Sequence, residues 1–342
     1  MSTIAASYVL PLRASAPDPE LRDYVRWLAE TVADVLVVDA SPSEVRTVHE
    51  GWWSAGVTHL PPDPARRCRN GKVWGVLTGL DRARHDVVVI ADDDVRWDRD
   101  GLRRVVGLLA STDLVAPANY YDPLPWPARY DTGRILVQRA LGGDWPGTLA
   151  LRRQILAPAG GGYDGDVLFE NLELVRTVTA CGGRCAWPLD LLVARRPPTA
   201  RHLLGQRVRQ AYDEFARPAH LVTSLAVLPV VLAGLARRRP ALPAAVLLAA
   251  ICAAWRGRRH GEGARVYPLS SVLLAPLWVV ERSITVWIAL VYRLRGGIPY
   301  AGSRMARAGS AVPQLRRRVA ADSALPAAAA PAGREPTPGG GQ

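Results

Sequence analysis

The sequence predicts an α/β domain with a mostly parallel central sheet, followed by C-terminal apolar helices, and three observations carry this. Near-continuous apolar strands alternate with amphipathic helices over the first two thirds of the 342 residues. Three long apolar runs crowd the last third. The formal net charge of +12 belongs to that third. Residues 221–303 hold ten arginines against Glu262 and Glu281, residues 304–342 hold six against Asp322 and Glu335, and residues 1–220 are balanced. A neutral main domain argues against a nucleic-acid partner. With 49% hydrophobic residues and 11 Trp, extensive disorder is also excluded.

The elements follow in order. Tyr8–Pro11 reads as a first strand. A helix over Pro19–Val32 follows, with Leu21, Tyr24, Val25 and Leu28 three and four apart. Val35–Val38 is an apolar strand ending at Asp39, and a Ser41-Pro42 loop follows. Asn70–Leu80 reads as a helix, and Val87–Ala91 as a strand that ends at Asp92-Asp93-Asp94. Leu102–Leu109 gives another helix and Asp113–Pro117 another strand. Residues 118–165 read as irregular and rich in Tyr, Trp, Pro and Gly, either loops over a core or an acceptor pocket. Helical spacing returns at Asp166–Ala180 and Leu204–Phe215.

The apolar runs cover 221–236, 242–255 and 267–292, and the third is crossed by Glu281-Arg282. Arginine clusters flank all three, so simple alternating spans would leave one cluster outside. The expectation is a multi-pass or re-entrant membrane protein with its main domain in the cytosol. No signal peptide is expected at the N-terminus. Cys181 and Cys185 form one close pair without a second, which favours isolated reduced thiols over zinc. The expected organisation is a domain over 1–220, membrane-associated helices over 221–300 and a disordered basic tail over 301–342.

Asp92-Asp93-Asp94 closes a sheet strand, where ligands of such sheets sit. Two carboxylates two residues apart can hold Mg²⁺ or Mn²⁺ on a diphosphate; the alternative is an acidic turn or helix cap. Asp39 ends a neighbouring strand, and Lys72 is the sole lysine beside 42 arginines.

Together these motifs resemble the inverting family 2 glycosyltransferases of GT-A fold, over roughly residues 5–215. The resemblance rests on Val37-Val38-Asp39, Arg69-Asn70-Gly71-Lys72, Asp92-Asp93-Asp94, Gly160-Gly161-Gly162 with Phe169-Glu170-Asn171, and Gln206-Arg207-Val208-Arg209-Gln210. It implies metal-dependent transfer from a nucleoside diphosphate sugar, a UDP-sugar by expectation, to a lipid or lipid-linked glycan hydroxyl at the membrane. It puts Asp39, Lys72, Asp92, Asp93 and Gln206 on the nucleotide sugar, and Asp94 with Asp92 on the metal. It makes Arg209 a cationic helper. Two departures stand out. Gln210 replaces a family tryptophan, and Asn171 replaces the aspartate that serves the family as general base. Glu170 or Glu173 would then take that role, with Glu170 nearer the motif. The rival reading is a membrane-tethered, degenerate transferase that binds without catalysing.

Overall fold

The computed structural model describes residues 2–53, 56–142 and 145–324. The chain begins with β1 (Ile4–Leu12), α1 (Pro19–Thr31), β2 (Val32–Asp39), α2 (Ser43–Glu50), β3 (Val57–Leu60), α3 (Gly71–Arg82) and β4 (Val87–Ala91). It continues with β5 (Val95–Arg96), α4 (Arg99–Leu108), β6 (Leu114–Val115), β7 (Ala118–Tyr121), α5 (Trp126–Ala140) and β8 (Thr148–Arg152). Then come α6 (Glu170–Ala180), β9 (Cys185–Ala186), β10 (Leu192–Arg195) and α7 (Ala200–Tyr212). The last third holds α8 (Pro218–Ala236), α9 (Ala241–Arg259), α10 (Leu269–Leu294), β11 (Ile298–Tyr300), β12 (Ser303–Met305) and α11 (Val312–Ala324).

Seven strands form the main sheet in the order β3-β2-β1-β4-β8-β6-β9. Four pairings are parallel, and only β8 runs antiparallel to its neighbours β4 and β6. The chain lays β2 on one side of β1 and β4 on the other, so a crevice opens at their carboxyl ends. Apolar clusters cover both faces, around Leu28, Leu102 and Val105 on one and around Val76, Leu80 and Val178 on the other. Helix α3 lies close on β1 because the two residues it turns to that strand, Gly75 and Gly79, have no side chain. A Cβ at Gly75 would fall 2.9 Å from Pro11, and one at Gly79 would collide with Val9. That close seat aims the N-terminus of α3 at the crevice.

Two sequence expectations fail here. The stretch 118–165 is not irregular: it holds β7, α5 and β8. Helix α5 shows no clean apolar stripe because it is buried on several sides, with Asp131, Thr132 and Arg139 inside as well as Ile135 and Leu136. It packs between the domain and the apolar helices. Gly133 meets the backbone of Ser271 and Ala275, and Gly257 meets that of Leu136. The tail does not start at residue 301 either. β11 and β12 form a hairpin, and α11 docks on the domain with Leu315 buried and Arg318 bonded to Asp164. One buried leucine among three arginines gives too weak a periodicity to read as a docked helix. The rest of the expected tail, residues 325–342, lies outside the described residues.

By length and composition, α8, α9 and α10 could each cross a membrane. They differ in setting. Helix α8 buries 6% of its apolar window and α10 buries 44%. One face of α10, with Val272, Ala275, Val286 and Ala289, is buried, and another, with Leu273, Leu277, Ile284 and Ile288, is exposed. The charges crossing α10 turn toward protein. Glu281 takes a hydrogen bond from Tyr130, and Arg282 pairs with Glu214.

Candidate active site

A cleft of about 970 Å³ opens at the ends of β1, β2 and β4 and extends toward α7 and α10. Its end at the acidic turn is set by three backbone devices. Strand β4 stops at Ala91, and the chain turns so that Asp92, Asp93 and Asp94 all line the cleft. Asn70 caps α3, accepting from the N–H groups of Lys72 and Val73, which fixes Lys72 at the rim. Strand β10 ends at Arg195 and pairs with β5 next to the acidic turn.

These side chains meet directly. Lys72 Nζ lies 2.6 Å from Asp92 Oδ1 and 3.0 Å from Glu170 Oε1. Arg195 grips Asp94 through Nη2 at 2.6 Å and Nε at 3.1 Å, and it stands 3.9 Å from Asp92. Gly147 makes room, since a Cβ there would fall 2.9 Å from both Arg195 and Asp92. Burial works against the Lys72 ammonium, but Asp92 and Glu170 outweigh it and hold its proton more tightly than usual. Burial, with Asp94 and Asp92 beside it, pushes the Asp93 carboxyl up to about 6. Burial is the larger cause and the two neighbouring acids add to it, so a cation at this turn would favour the charged form. The oxygen donors suit Mg²⁺ or Mn²⁺, as expected.

Asp39 behaves differently. Val38 and Ala40 line the cleft, while the Asp39 carboxylate is buried and engaged inward. His49 Nδ1 lies 2.7 Å and His59 Nε2 3.0 Å from Oδ2, and the Ser41 N–H bonds Oδ1 at 2.8 Å. Burial alone would raise this carboxyl, but the bonds from His59, Ser41 and His49 hold it well below the usual carboxylate range. The ligand atoms of Asp39, His49 and His59 lie within 4.8 Å of one another, a mixed set that also suits a divalent ion.

The other expected residues divide. Glu170, Gln206 and Arg209 line the cleft, with Arg209 over the Tyr300 ring at 4.8 Å. Glu173 does not reach it: its carboxylate is buried and accepts from the Ser310 N–H at 2.7 Å. The spacing of 170 and 173 suggested one shared face, but α6 points Glu173 at the segment leading into α11. Asn171 donates to the Pro146 carbonyl. Sequence reasoning missed Arg195, Tyr300 and Asp213, which all line the cleft. Arg195 had a readable signal, because it closes the apolar run Leu191–Ala194. Asp213 and Tyr300 had none, since they reach the cleft only through the packing of α7 and the β11–β12 hairpin.

Comparison with solved structures then fixes the architecture. A mannosyltransferase from Pyrobaculum calidifontis, PcManGT, solved with GDP-Man and Mn²⁺, is 20% identical with a TM-score of 0.54. The match covers 84% of this chain and 88% of that one. The fold is GT-A. Three apolar helices follow it. Mannosyl-3-phosphoglycerate synthase from Rubrobacter xylanophilus is 17% identical, with a TM-score of 0.40 and coverage of 60% of this chain and 71% of that one. Glucosyl-3-phosphoglycerate synthase from Mycobacterium tuberculosis, solved with Mg²⁺ and UDP, is 20% identical, with a TM-score of 0.40 and coverage of 58% and 74%. Neither of these two scores bears on the fold. Residues 56–119 of the GT-A domain match the model of glycosyl transferase family 21, a segment that contains Lys72 and Asp92–Asp94. The family 2 resemblance is not what this segment matches. No curated protein matches the chain.

Proposed function

We propose that the chain transfers a sugar from a nucleoside diphosphate sugar to a hydroxyl acceptor at a membrane surface, with inversion at the anomeric carbon. The observation that carries this reading is the convergence of Asp92, Asp93, Asp94, Lys72 and Arg195 at the β1/β4 crevice of a GT-A domain. Asp92 and Asp94 would hold the divalent ion, which supplies Lewis-acid charge neutralisation to the leaving diphosphate when bound. Lys72 and Arg195 add fixed positive charge beside the phosphates. Arg209 and Gln206, on the α7 wall, orient the sugar and its acceptor. Asp39 acts on the nucleoside end by fixing His49, His59 and the turn at Ser41 rather than by contacting a base. Glu170, held by Lys72, serves to place that ammonium.

The acceptor enters from the side where α7 and α10 border the cleft, which favours a membrane amphiphile. The arginines of 237–239, 256–265 and 293–295 suit anionic head groups, and they favour a cytosolic domain. The test is calorimetric titration of the purified protein with UDP-glucose and GDP-mannose, with Mn²⁺ and with EDTA. Binding of either donor that requires Mn²⁺ supports the reading. No binding of either overturns it in favour of a degenerate, non-catalytic domain.

A further inference from the structure

Asn171 lines the cleft but is an amide that cannot take up a proton, and most acids near it are engaged. Glu170 Oε1 is taken up by the Lys72 ammonium at 3.0 Å. Glu173 faces away, bonded to Ser310. Asp131 is clamped between Arg134 and Arg207, and Glu214 faces Arg282. Asp213 is the exception. It sits in a short 3₁₀ turn (Asp213–Ala216) between α7 and α8, lines the cleft, and its buried Oδ1 has no hydrogen-bond partner. Three neighbours share that state. Gln210 Oε1 on α7, Glu214 Oε2 beside Asp213 and Arg282 Nε on α10 are also buried and unbonded at the cleft, although Glu214, unlike Asp213, has its other oxygen paired with Arg282. Buried polar atoms left unpaired cost stability, and four around one end of one cleft mark a place shaped for a polar ligand.

Resting on the reading above, we propose that Asp213 is the proton acceptor of the transfer, and that Gln210 and Arg282 hold the hydroxyl-bearing head group of an amphiphilic acceptor beside it. The acceptor hydroxyl oxygen forms the new bond to the anomeric carbon as its proton passes to the Asp213 carboxylate. The bond from that carbon to the diphosphate oxygen breaks, and the nucleoside diphosphate departs with the electron pair. Asp213 then loses the proton to water. The groups acting on Asp213 support this role. Burial raises its carboxyl to about 8; Glu170 on α6 and Glu214 beside it push the same way, while Arg209 on α7 and Arg282 on α10 oppose them. A base with this affinity is strong in its ionised fraction and still accessible near neutral pH. A phosphate acceptor would arrive already ionised and would need no such group, so Asp213 argues for a neutral hydroxyl.

The experiment uses the full chain in phosphatidylcholine nanodiscs with Mn²⁺ and either GDP-mannose or UDP-glucose. Dodecyl glucoside and dodecyl phosphate serve as rival acceptors, with products weighed by mass spectrometry. The parent should glycosylate dodecyl glucoside, with kcat/KM rising with pH to a plateau above about 8. Asp213→Asn should lose about 100-fold or more of that rate while binding the donor within twofold of the parent. Asp213→Glu should recover part of the rate. Unaltered donor affinity shows that the Asn variant folds; if it fails that check, the Glu variant's shifted pH profile decides. Transfer by Asp213→Asn near the parent rate, a pH profile without the limb near 8, or a parent that glycosylates dodecyl phosphate alone or neither amphiphile overturns the proposal. A parent that binds neither donor fails earlier, and that failure belongs to the donor reading.

Discussion

The two ends of the cleft are built on opposite principles. At the donor end, cationic side chains already hold the acids: Lys72 bridges Asp92 and Glu170, and Arg195 grips Asp94. At the end bordered by α7 and α10, Asp213, Gln210 and Arg282 keep buried polar atoms without partners. The first arrangement is preorganised electrostatics, in which a ligand exchanges one set of charge partners for another. The second is incomplete until a ligand with hydroxyl groups fills it. Two substrates of different chemistry would meet such a cleft in its middle.

The strongest challenge to this contrast is Asp94→Ala. Removing a carboxylate from the acidic turn and leaving Arg195 unpaired should weaken Mn²⁺-dependent GDP-mannose or UDP-glucose binding by on the order of 100-fold, read by calorimetry. An unchanged affinity would mean the donor end is not where the diphosphate sits. Next comes Lys72→Met, which leaves Asp92 and Glu170 facing each other without their shared cation. Donor affinity should fall about tenfold, with a smaller effect on the acceptor's KM. Glu173→Gln separates site from scaffold. It should lower stability by about 1–3 kcal/mol in denaturant titration and leave donor affinity intact.

The smallest effect is the most direct on the far end. Asp213 rises from an unfolded value near 4 to about 8 in the fold. The native state therefore keeps a proton that the unfolded chain loses between those values, so Asp213 drains stability as pH climbs from about 4 to 8. Asp213→Asn removes that drain. Its melting temperature should match the parent's near pH 4 and exceed it by a few degrees at pH 9, read by differential scanning fluorimetry. A constant offset across pH would show that Asp213 is not a buried, proton-holding acid.

Much of the donor end was legible from sequence because strand-end chemistry is local. An apolar run such as Val87–Ala91 followed by Asp92–Asp94 tells both where the strand stops and which side chains stand at the crevice. The Asn70 cap and Lys72 are equally local, since a cap needs only its own first turn. The acidic helix was harder. Glu170 and Glu173 are neighbours in sequence, yet one faces the cleft and the other is sealed against Ser310 by a segment 137 residues later. Asp39 shows the same limit: its strand position was readable, but not the two histidines that turn its carboxylate inward.

By itself the sequence determined the α/β domain, the acidic strand end, the capped lysine and the apolar last third. Each rests on periodicity or on contacts within a few residues. The tertiary structure alone decided that α5 is a buried helix, that α10 lies half against protein, and that residues 303–324 fold back onto the domain. It alone brought Arg195, Tyr300 and Asp213 to the cleft. Those outcomes depend on which surfaces, distant in the chain, exclude water from one another, and no local pattern encodes that choice.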